Sequence, residues 1–154
     1  MKAFAVMTGI LVVLGAAAEG TKLPFDTYSG YFVSNKFEPD AATSFVVITD
    51  QAKFDQVLGV AMVMRDKSHR LPKDAFKSNL VLTAIKRGNA LWEYKVEGVT
   101  VEQGVVQLRY AVTSRATPET TFACPLIVSI PRDDYKAVVF IEDGKRVKTV
   151  KVGG

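Results

Sequence analysis

The sequence predicts a mainly β protein of the α+β kind: an antiparallel β-sandwich or highly curved sheet of about eight strands, with one short helix packed against it. Three observations carry that reading. Apolar residues alternate with polar ones in several runs, among them Val106, Leu108, Tyr110 and Val112, then Phe122, Cys124, Leu126, Val128 and Ile130. One run, Leu80 to Ile85, is apolar without alternation, the pattern of a central strand covered on both faces. Turn signals at Gly88-Asn89, Gln103-Gly104 and Asp143-Gly144 separate these runs at strand-length intervals.

The first residues have the three parts of a secretory signal. Lys2 is the positive end, Ala3 to Leu14 is nearly all apolar, and Ala16-Ala17-Ala18 is a small-x-small cleavage site. The apolar run is shorter than the roughly 20 residues that span a bilayer. No second long apolar run follows, so the expectation is export to the periplasm or beyond, with no stable membrane insertion after cleavage. The chain divides into a signal peptide at 1–18, a linker and first strand at 19–43, and a single β-rich domain at 44–154.

Loss of 1–18 removes one charge, Lys2, and leaves 19 basic against 16 acidic residues. That mild excess does not call for nucleic acid, and export makes nucleic acid an unexpected partner. The single cysteine, Cys124, cannot form an internal disulfide, so stability must come from core burial.

Along the domain, Thr27 to Phe37 is aromatic-rich and predicts a strand bulged at Gly30. Ser44 to Thr49 predicts a short strand. Asp50 suits an N-cap, Ala52, Phe54, Val57 and Leu58 follow at helical intervals, and Gly59 suits the residue after the helix. Val60 to Met64 reads as another short strand, Arg65 to Lys73 as a charged loop, and Asp74 to Ser78 as one further turn. After Leu80–Ile85 the residues Lys86-Arg87-Gly88-Asn89 read as a turn into a strand whose apolar face is Trp92, Tyr94 and Val96. At Gly98 the phase slips by one residue, which predicts a β-bulge. Pro125 donates no hydrogen bond and places its strand at an edge or a bulge. Ala137 to Ile141 is a buried strand, and Asp143-Gly144 turns it into a basic hairpin arm, Lys145 to Val152.

The inventory for catalysis is poor. His69 is the only histidine; it stands among charged residues, while Cys124 is in phase with the core. No G-x-S-x-G, P-loop or G-x-G-x-x-G occurs. One Cys and one His make a weak zinc set, and no cofactor is expected. Glu93 and Glu97 on one strand face lie about 13 Å apart, beyond the span glycoside hydrolysis uses. The candidate partner-binding residues are Lys86, Arg87, Asn89 and Trp92, because the turn should project Lys86 and Arg87 into solvent beside an aromatic rim.

From Phe45 to Val150 the order of features resembles the C-terminal domain of PrcB-type proteins. These are small exported bacterial subunits that associate with and stabilise a protease complex. The likeness rests on FVVITDQAKFDQVLG, then NLVLTAIKRGNALWEYKVEGV, then FACPLIVSIP and a closing hairpin. The resemblance implies a non-catalytic interaction module with a protein partner in the cell envelope, and it assigns no active site. Two alternatives stand beside it: a binder of small ligands or anionic glycans, motivated by the basic residues and Trp92, and a hydrolase with an unrecognised site.

Overall fold

The computed structural model describes residues 20–61 and 69–153. The expected signal peptide, the end of the expected strand Val60 to Met64 and the first part of the expected charged loop lie outside the described residues. The elements in chain order are β1 (Thr21–Lys22), β2 (Asp26–Thr27), β3 (Tyr31–Val33), β4 (Thr43–Ile48), α1 (Gln51–Val57), β5 (Leu58–Val60), α2 (Ala75–Ser78), β6 (Asn79–Gly88), β7 (Ala90–Glu102), β8 (Val105–Ala116), β9 (Phe122–Pro131), β10 (Ala137–Glu142) and β11 (Lys145–Lys151). The mainly β class is as the sequence predicts.

Two sheets make the sandwich. One has five strands in the order β1-β7-β8-β10-β11, the other four in the order β2-β9-β6-β4; β3 and β5 form a separate pair. The pattern is not antiparallel throughout, because β10 runs parallel to β8. The reason is β9. Leu126, Val128 and Ile130 point into one core and Ile127 into another, so β9 is apolar on both faces and belongs beside β6 in the four-stranded sheet. The chain therefore leaves the five-stranded sheet after β8 and returns to it as β10 in the same direction.

β6 explains the layering. Leu80, Leu82 and Ala84 face the five-stranded sheet, together with Val106, Leu108, Tyr110, Val138 and Phe140. Val81 and Ile85 face the other way, onto Phe54, Val57, Leu58 and Val33. A strand buried on both faces cannot alternate, which is why this run reads as continuous apolar sequence. The third layer is α1, α2 and the β3–β5 pair.

α1 begins as expected: the Asp50 carboxylate accepts a hydrogen bond from the Lys53 amide at 2.8 Å. Its end differs from the expectation. Leu58, not Gly59, caps the helix in an extended conformation, and Gly59 lies inside β5 opposite Phe32. A Cβ at Gly59 would sit 2.3 Å from the Phe32 ring, so glycine is needed there for a close aromatic approach and not for a left-handed turn. The aromatic stretch Thr27 to Phe37 is likewise not one bulged strand: Thr27 ends β2, and β3 is Tyr31–Val33. β2 joins β9, β3 joins β5, and Gly30 lies between them.

The bulge and the two hairpin turns stand where the sequence puts them. Val96 opposes Tyr110 and Gly98 opposes Arg109, leaving Glu97 as the extra residue of a bulge. Gln103 and Gly104, and Asp143 and Gly144, all have positive φ, the requirement of two-residue type I′ hairpin turns. Cys124 is buried.

Candidate functional site

The expected site is reorganised by the length of β6. The strand runs on to Gly88, and Asn89 alone joins it to β7. Lys86 and Arg87 are therefore strand residues opposite Cys124 and Ala123, and pleating sends them to opposite faces. Neither projects into solvent as the turn reading required.

Lys86 shares the face of Ala84 and points between the sheets. Its Nζ lies 2.8 Å from Glu142 Oε1 on β10, with about 20% and 17% of the two side chains exposed. The same carboxylate accepts a hydrogen bond from the Tyr110 hydroxyl at 3.2 Å. Beside it, Tyr94 donates to the Cys124 carbonyl at 2.7 Å, and the two tyrosine rings meet edge to face at 6.1 Å. Burial, then the nearby Glu142 carboxylate, pushes the Tyr110 phenol well above its ordinary range; burial chiefly does the same to Tyr94. This is the one ion pair among the described residues, and it ties the two sheets together.

Arg87 shares the face of Ile85 and is half-buried. Its guanidinium donates to the Ala41 carbonyl at 3.1 Å, the Ser44 hydroxyl at 2.8 Å and the Phe37 carbonyl at 2.9 Å. Burial lowers its pKa and Glu38 partly restores it. Arg87 is thus a clasp on the loop before β4. Asn89 is exposed, with Nδ2 donating to the Pro118 carbonyl at 2.9 Å. Trp92 is half-buried against Gly88, where a Cβ would stand 3.2 Å from its ring. Of the four candidates, Asn89 is the exposed one and Trp92 lies on β7, whose edge is a surface a partner can reach.

That surface lies along one side of the sandwich. β1 pairs with β7 only at Val101 and Thr100, and the Leu23 amide reaches the Val99 carbonyl at 2.9 Å. From Ala90 to Gly98, no strand among the described residues covers the outer edge of β7. Across from it, β2 holds β9 at Ser129 and Val128, and the Tyr28 amide bonds the Ile127 carbonyl at 3.1 Å. Side alternation puts Pro125, which lacks a donor, on that same open edge, as its sequence position suggested. Between the edges runs a groove of about 450 Å³ walled by Tyr28, Tyr94, Val96, Pro125, Leu126 and Ile127. Pro125 was the sequence signal for the β9 edge. Nothing comparable marked β7, whose alternation is the same whether its edge is paired or open.

A larger recess, about 910 Å³, lies in the third layer. Tyr31, Phe54, Leu58 and Leu71 wall it, with Arg70, Lys73 and Asp55 as its charged residues. His69 lines the inter-sheet groove, and no hydrogen bond among the described residues joins it to Cys124. No cluster of three metal-ligating side chains occurs among the described residues, and no described helix is long and apolar enough to cross a membrane. The chain matches no protein-family model, no curated protein and no solved structure.

Proposed function

We propose that this protein is an exported, non-catalytic interaction module that holds a protein partner in the cell envelope, as an accessory subunit of a protease complex. The observation that carries the reading is the open side of the sandwich: a long strand edge that no described strand covers, beside an apolar groove, with Trp92 on that strand and Asn89 just before it. The signal-like leader and the resemblance to PrcB-type domains support it. Crosslinking in the native cell, followed by identification of the captured protein, tests it. A stable complex containing a protease subunit is the expected result; recovery of the chain with no protein partner overturns it.

A second reading has its own observation. The recess beside α1 combines apolar walls with Arg70 and Lys73 against Asp55, which suits a small ligand carrying an apolar body and an acid group. Thermal stabilisation by short anionic glycans or alkyl carboxylates, weakened by salt, is its expected signature.

A further inference from the structure

We propose that the partner adds an extended strand to the open edge of β7 at Ala90–Gly98, with apolar side chains dropping into the groove and charges matched to Glu93, Lys95 and Glu97. This rests on the reading of the chain as a protein-binding module and specifies how that module binds.

The edge itself points to a strand. About nine residues that no strand among the described residues covers extend roughly 30 Å, and their edge-facing N–H and C=O groups can take a backbone partner. The other long edges are closed to such addition. β11 presents the exposed Lys145, Arg146, Lys148 and Lys151, a single-sign row that repels strand pairing. β9 carries Pro125 on its open side. β4 has six residues and lies beside β11 where the sheets approach. β7 between Ala90 and Gly98 has neither a proline nor a run of one sign.

The two faces of β7 then define the incoming sequence. On the inner face, Tyr94 and Val96 stand over the groove floor of Pro125, Leu126 and Ile127, so alternate residues of the added strand should be apolar. Half-buried Trp92 lies towards one end of the edge, and Phe25, 37% exposed, lines the groove. On the outer face, Glu93, Lys95 and Glu97 are all exposed. Opposite charges across a strand pair attract and like charges repel, so the fitting strand carries basic, acidic and basic residues at those positions. The order is the same read in either direction, so the charge match does not depend on strand polarity.

The test uses the mature chain and a synthetic seven-residue peptide that alternates valine with lysine, glutamate and lysine. Trp92 is the only tryptophan, so its fluorescence reports occupancy of this edge. Saturable binding, with slowed hydrogen exchange at amides 90–98, is the expected result. Lys95→Glu should weaken binding about tenfold, corresponding to about 1.4 kcal/mol, and replacing the peptide's central glutamate by lysine should restore it. A peptide N-methylated on alternate residues should not bind. Equal binding by the N-methylated peptide, no binding of the matched peptide at millimolar concentration, or protection of 90–98 by self-association in its absence would each overturn strand addition. If native crosslinking captures a protein that leaves exchange at 90–98 unchanged, strand addition falls while the module reading stands; absence of any captured protein removes the module reading itself.

Discussion

β6 of the four-stranded sheet is covered on both faces; β7 and β8 of the five-stranded sheet are covered on one. In the first, β6 is buried from Leu80 through Ile85, with successive side chains serving two different cores. In the second, β7 and β8 turn Tyr94, Val96, Leu108 and Tyr110 inward and leave Glu93, Lys95, Glu97 and Arg109 in water. The difference teaches that on β6 the loss of alternation records a second covering layer, formed by α1, β3 and β5. It also says where polar groups are costly. A polar side chain on the outer face of β7 meets solvent, whereas one on either face of β6 needs a partner inside the protein.

The sharpest way to break the comparison is truncation. Leu82→Ala, at a fully buried site of β6, should cost about 2–5 kcal/mol in urea unfolding. Lys95→Ala, on the wet face of β7, should stay within about 0.5 kcal/mol. Similar values for the two would sink the distinction between the sheets. Next in size is Arg87→Glu. A residue in a solvated turn would tolerate it, but here it removes three hydrogen bonds and leaves the Phe37 and Ala41 carbonyls and buried Ser44 without their donor. The expected loss is about 2–3 kcal/mol, and an unchanged melting temperature would contradict the clasp. The smallest effect has the opposite sign. Thr83 is fully buried on β6 and its hydroxyl has no hydrogen-bond partner among the described residues. Thr83→Val keeps the shape and removes the orphaned hydroxyl, so it should raise stability by up to about 1 kcal/mol; a loss of that size would point to a partner for the hydroxyl.

What the sequence made legible was local. The Asp50 cap, the bulge at Gly98, the two hairpin turns and the alternation of β8 each depend on a few neighbouring residues, and each stands where it was expected. The rest depended on distant pairing. Lys86 at the end of an apolar run reads as a residue heading for water; only the arrival of Glu142, 56 positions later, makes it an inter-sheet tie. Arg87 reads the same way until the loop at Phe37 to Ser44 folds over it. Gly30 looked like a bulge because its neighbours gave no sign that β2 and β3 join different sheets. The parallel pairing of β10, and the open edge of β7, are properties of strand order, which periodicity does not encode.

The parallel contact of β8 with β10 has a kinetic consequence. The hairpins β7–β8 and β10–β11 each close through two-residue turns, so they can form early and alone. Their union is different: Val105 meets Ala137, 32 residues on, with β9 lodged in the opposite sheet between them. That contact carries the loop-closure entropy of the whole excursion and gains nothing until β9 has found β6. The two halves of the five-stranded sheet should therefore join late, after the neighbouring sheet has assembled. Weakening β10 should then speed unfolding more than it slows folding.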